Sequence, residues 1–79
     1  MPRNVTLEEL LEELEWFFDG KIAGLSTEVF IKTTHAINNL MSDPAEAHDA
    51  FEAIRYKREA NIPLPFALFL INLANSEKD

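Results

Sequence analysis

Residues 63–75 read Pro-Leu-Pro-Phe-Ala-Leu-Phe-Leu-Ile-Asn-Leu-Ala-Asn, and across 66–74 the only polar side chain is Asn72. Wound at about 100° per residue, these side chains cover nearly the whole circumference of a helix with apolar groups. Phe66, Phe69, Leu70 and Leu73 make one broad face, and Ala67, Leu68, Ile71 and Ala74 cover most of the rest. A helix that is hydrophobic all round is expected to be buried all round. Crossing a bilayer takes roughly 20 apolar residues, so this stretch is too short for a membrane span. It is therefore either the central helix of a domain or half of an interface between copies of the chain. The rest of the sequence has to be arranged around it.

The chain has 79 residues, enough for a single domain over 1–79. A domain of this size buries only about 60% of its unfolded surface, so its stability is marginal without a staple. With no cysteine in the sequence, disulfides and cysteine-zinc sites are not available, which suits a reducing cytoplasm. Oligomerisation is the staple left, and a homodimer or higher oligomer is expected, with Leu68 and Ile71 on the subunit-facing side of the last helix. The opening Met1-Pro-Arg-Asn4 has no apolar h-region, so no signal peptide is expected. A formal charge of −7 disfavours non-specific binding to nucleic acid or to anionic membranes. It suits a partner protein with a basic surface.

Start and stop signals divide the chain into four helices, at about 7–19, 27–41, 44–60 and 65–75, after a short arm at 1–4. Thr6 and Glu9 have the spacing of a capping box, and Val5 and Leu10 that of a hydrophobic staple. Leu7, Leu10, Leu11, Leu14, Phe17 and Phe18 hold a helical period until Asp19-Gly20, where Gly20 is a natural left-handed cap. Ser26 caps the second helix, with Leu25 and Phe30 as its staple; its inward face is Val29, Phe30, Thr33, Ala36, Ile37, Leu40 and Met41. Asp43, Pro44 and Glu46 are N-cap, N1 and N3 of the third. Its stripe is Ala47, Ala50, Phe51 and Ile54, extended by the stem of Arg58, and Asn61-Ile-Pro-Leu-Pro65 stops it. Residues before proline avoid the helical region, so Ile62 and Leu64 are expected to be extended, with Pro65 opening the fourth helix. The fold class that follows is all-α: a compact bundle of four short helices, the C-terminal one the most buried.

Few residues suggest chemistry. The carboxylates of the first helix line the solvent side of an amphipathic helix and have no calcium-loop pattern. His48 and Glu52 share a face of the third helix, but two ligands are half a zinc site, so no metal and no cofactor is expected. With no activated nucleophile and no glycine-rich phosphate loop, an enzyme is not expected. Arg55-Tyr-Lys-Arg58 is the sole basic cluster. Basic residues with an aromatic among them can bind nucleic acid; cations in the last turns of a helix also simply complement its dipole. A helix-turn-helix reading of the second and third helices lacks a turn glycine, and Glu46, Asp49 and Glu52 give the would-be recognition helix the wrong charge. Acyl carrier proteins are similarly small, acidic and four-helical, but their Asp-Ser-Leu attachment motif is absent here.

The surface residues carry the functional expectation. Trp16 falls roughly 160° from the centre of the first helix's stripe, on the acidic side with Glu9, Glu12 and Glu13. Ile31 lies off the stripe of the second helix and Tyr56 off that of the third. Tryptophan and tyrosine are enriched at binding hot spots. The plainer reading is that the first helix is covered on both sides and Trp16 is core. The functional one makes Trp16 an anchor, with the glutamates steering a basic partner. On it the chain is a small cytoplasmic protein-interaction module: an inhibitor, adaptor or assembly factor of the kind phages and plasmids carry. The competing expectation is a helical nucleic-acid-binding regulator using Arg55, Lys57 and Arg58.

Overall fold

The computed structural model describes residues 3–78. Four helices dominate it: α1 (Leu7–Phe18), α2 (Thr27–Leu40), α3 (Pro44–Arg55) and α4 (Leu64–Lys78), with one turn of 3-10 helix at Ile22–Gly24 between α1 and α2. The three anticipated N-caps form in the same way. The side-chain oxygens of Thr6, Ser26 and Asp43 accept from the backbone N–H three residues on, that of Glu9, Val29 and Glu46, at 3.2, 3.2 and 3.3 Å. Each removes one of the donors that a helix start leaves unpaired. The end of α1 places Asp19 (φ 54°) as well as Gly20 (φ 76°) in the left-handed region. Aspartate is among the few non-glycine residues that reach it readily.

Two strands join the helices. β1 (Asn4–Thr6) pairs antiparallel with β2 (Asn61–Pro63), Val5 opposite Ile62. The pairing is extended at both ends, Leu7 N–H donating to the Ala60 carbonyl at 3.1 Å and Leu64 N–H to that of Arg3 at 2.9 Å. This corrects the N-terminal arm, of which Asn4 is strand while Met1 and Pro2 lie outside the described residues. It also corrects α3, which stops at Arg55 rather than near 60. Lys57 turns left-handed at φ 54°, Lys57 N–H donates to the Ile54 carbonyl at 3.2 Å, and Arg58 N–H reaches back to that of Ala53 at 2.8 Å. That pair of bonds is a Schellman closure with lysine where glycine is usual. It swings the chain out of the helix in time to pair with β1. Leu64, expected to be extended, is the first residue of α4.

Phe51 of α3 is the hub of the core: fully buried, with its ring 4.9 Å from Phe30 of α2 and 6.4 Å from Phe66 of α4. Around it pack Leu10 and Leu14 of α1, Ile22 of the 3-10 turn, Ile37 of α2, Ile54 of α3 and Ile62 of β2. α1 lies mainly against α4, and α2 against α3. The expected stripes of α1 and α3 face inward, Arg58 excepted, which lies past the end of α3 and is exposed. Leu40 does not: at the last position of α2 it is 61% exposed, and Met41 just beyond packs on the core instead.

Burial of α4 is one-sided, which corrects the expectation of a helix covered on every face. Phe66, Ala67, Leu70 and Ala74 are buried, Phe69, Ile71 and Leu73 are half-buried, and Leu68 is 52% exposed. The buried line is turned away from Phe69 and Leu73 towards the two alanines. Small side chains let a neighbouring backbone come close, and a chain this short has too few elements to surround a helix.

Candidate interaction surface

The inward leucines of α1 fix which of its residues face out. Glu9, Glu12, Glu13 and Trp16 recur at three- and four-residue spacing, so they share one outer face. Trp16 is 76% exposed, with its ring 5.8 Å from Phe17, so it is a surface residue and not core. Beside this face the junction of α1 and α4 opens into a groove. Its apolar part comes from Val5, Leu10, Leu64, Ala67, Leu68 and Ile71; its polar part is Glu9, Glu12 and Glu13, with Arg3 at the β1 end.

Residues that the sequence assigned to two separate roles therefore sit together. The glutamates expected to steer a partner and the Leu68 and Ile71 expected to face a second copy line the same groove. Of those two, Leu68 is exposed, whereas Ile71 is half-buried against the core. Val5, Arg3 and Leu64 also line it, and sequence reasoning had not placed them there. Leu64, Leu68 and Ile71 repeat at i, i+4 and i+7, a signal concealed by starting the helix at Pro65.

Ile31 and Tyr56 are exposed, at 50% and 56%, but neither lines this groove. Tyr56 belongs to the turn after α3. Its ring lies 5.7 Å from the Arg55 guanidinium carbon and 5.4 Å from that of Arg58, and Arg55 is also 4.8 Å from the ring of Phe30. Lys57 Nζ approaches Glu15 Oε1 at 3.9 Å. The cations of the basic cluster are thus engaged with aromatic faces and a carboxylate of their own chain. Only Arg55 of the three is on a helix, so they do not form a basic helical face.

A second groove, on the other side of α1, is lined by Leu7, Leu11, Glu8, Glu12, Glu15, Glu59 and Lys57. The ridge of α1 is thus acidic on both flanks. His48 Nε2 lies 4.0 Å from Glu52 Oε1, and its ring meets Phe30 edge-on at 6.0 Å. Among the described residues no three His, Asp or Glu side chains converge to hold a metal ion, and no helix is long and apolar enough to cross a membrane. No protein-family model matches the chain, and no curated protein or solved structure matches it at a significant level.

Proposed function

We propose that this chain is a protein–protein interaction module, an inhibitor, adaptor or assembly factor acting in the cytoplasm, and that it docks through the outer face of α1. The single observation that carries the reading is Trp16: the chain's one tryptophan is 76% exposed on a face shared with three glutamates. The exposed part of an indole forgoes a burial gain of roughly 25 cal/mol for each Å² of apolar surface. Recovered on binding, that gain makes tryptophan a common anchor, and flanking carboxylates favour encounter with a basic surface. Leu68, exposed in the groove that Glu9, Glu12 and Glu13 also line, adds a second exposed apolar side chain beside the same glutamates.

The test is quantitative affinity capture from the native host on the immobilised parent chain and on Trp16→Ala, after their melting curves have been shown to match. Proteins held by the parent and lost by the variant are the expected result. Identical captured sets would overturn the reading. Salt-sensitive retention of nucleic acid, abolished by replacing Arg55, Lys57 and Arg58, would support the regulator reading in its place.

A further inference from the structure

We infer that the groove between α1 and α4 seats a basic amphipathic helix of another protein; this names the partner's contacting element and rests on the protein-binding reading above. The floor is apolar, from Val5, Leu10, Ala67, Leu68 and Ile71, and Glu9, Glu12 and Glu13 stand along the α1 side. A helix answers such a layout with an apolar stripe at i, i+3, i+4 and i+7 and with Lys or Arg on the flank that meets the glutamates. An extended strand does not, because strand addition needs free backbone donors and acceptors. The two long walls, α1 and α4, are helices whose backbone groups are already paired along the helix. β1, three residues long, reaches the groove only at one end through Val5 and the adjoining Arg3, too short an edge for a strand to follow the acidic wall. From Glu9 to Trp16 the α1 face runs for two turns, about 10 Å. An occupant of three or four turns thus meets the acidic wall and the Trp16 ring together.

The charge pattern also decides between another protein and a second copy. Three carboxylates on one wall disfavour an acidic occupant, and α1, the most acidic helix, has no lysine or arginine at all. α2 offers only Lys32, which lies 3.6 Å from Glu28 of its own helix, and α3 only Arg55, stacked on Phe30. None of these three helices is basic and amphipathic, and α4, itself a wall of the groove, has no lysine or arginine in its sequence before Lys78, so the chain offers its own groove no basic helix.

Selection from a displayed library of helical peptides about 14 residues long, roughly four turns, tests this on the full chain. Leu68→Lys serves as the counter-selection target, since Leu68 is exposed and its replacement leaves the core intact. The expected winners are peptides with apolar residues at three- and four-residue spacing beside Lys or Arg. They should bind the parent at least tenfold more tightly than either Leu68→Lys or the triple variant Glu9→Gln, Glu12→Gln, Glu13→Gln. Their amide shift changes should centre on residues 9–16 and 64–71. Winners that are acidic or aperiodic, that ignore Leu68→Lys, or that map to Arg55 and Arg58 overturn the inference. So does a chain that light scattering finds at twice its 9.0 kDa mass and that Leu68→Lys turns into a monomer, because a second copy then fills the groove. The two failures are separable: capture that depends on Trp16 with no basic helix selected sinks the groove inference alone. Capture indifferent to Trp16→Ala sinks the protein-binding reading beneath it.

Discussion

α1 and α4 pack against each other, yet different forces set how each is rotated. Along α1 leucines and phenylalanines alternate with carboxylates at helical spacing, so almost any rotation would drive a glutamate into the core. Burying an unpaired charge is expensive enough to leave one orientation. α4 has no such contrast across 66–74, and polarity alone barely distinguishes its faces. Its rotation follows volume: Ala67 and Ala74 face the packed interior, while Phe66 and Leu70 fill the space beside Phe51 and the core leucines. Polarity contrast orients the first helix and steric fit the second. The apolar side that steric fit leaves over, at Leu68, is what adjoins the acidic face of α1.

The largest effects expected test whether the two helices are equally committed to the core. Phe66→Ala and Leu10→Ala each empty a fully buried site, and losses of about 3–5 and 2–5 kcal/mol are expected in urea unfolding. A loss below about 1 kcal/mol for Phe66→Ala would mean that α4 repacks by rotating. For Trp16→Ala the effect moves from folding to binding. Stability should stay within about 1 kcal/mol of the parent, while affinity for a captured partner falls by about 2 kcal/mol or more. A Trp16 emission that is blue-shifted and shielded from iodide in the isolated chain would contradict its exposure.

Helix ends divide in the same way, into those set locally and those set by distant parts of the chain. Asp43, with Pro44 and Glu46, states the start of α3 within four residues, and Asp43→Ala should cost about 1 kcal/mol by the shift in urea midpoint. The end of α3 has no such statement. Tyr56-Lys-Arg-Glu-Ala60 contains no helix breaker, and the exit is made by Lys57 in a left-handed conformation that lysine disfavours. What holds it there is β2 pairing with β1, some 55 residues away in sequence. Lys57→Gly relieves the strain and gives up only a half-exposed contact with Glu15, so a gain of about 0.5 kcal/mol is expected. A loss would give the Glu15–Lys57 pair more weight than surface pairs normally have.

What the sequence made legible follows this division. The caps at Thr6, Ser26 and Asp43, the stripes of α1 and α3, and the outward placement of Trp16 and Ile31 are all periodic or local, and periodicity survives without knowing the partners. Tyr56 is exposed too, but in the turn beyond α3 and not on the helix face that the period assigned to it. The strands were not legible, because three residues such as Asn61-Ile-Pro63 hold no period and their pairing is long-range. Leu40 pointed out because the last residue of a helix has no following turn to hold it to the stripe. The groove joins residues of α1 and α4 that are more than fifty positions apart. Its parts were visible separately, as acids on one helix and as Leu68 and Ile71 on another, but their meeting depends on a rotation of α4 that its uniform apolarity does not encode.

The smallest effect expected is the one that most sharpens the contrast within α4. Leu68 and Leu70 are two residues apart, about 200° round the helix, one 52% exposed and the other buried. Leu70→Ala should cost 2–5 kcal/mol or thereabouts. Leu68→Ala removes a side chain that is already half in water and replaces it with the best helix former. Its effect should stay within about 0.5 kcal/mol. The comparison is best made at two protein concentrations, because a self-associating chain gains stability as concentration rises. If Leu68→Ala costs several kcal/mol at high concentration and little at low, the outer side of α4 is covered by a second copy, and the apolar circumference is used in full by two chains. If both concentrations give the small value, one chain uses only the inner half of that circumference, and the outer half remains free to meet a different protein.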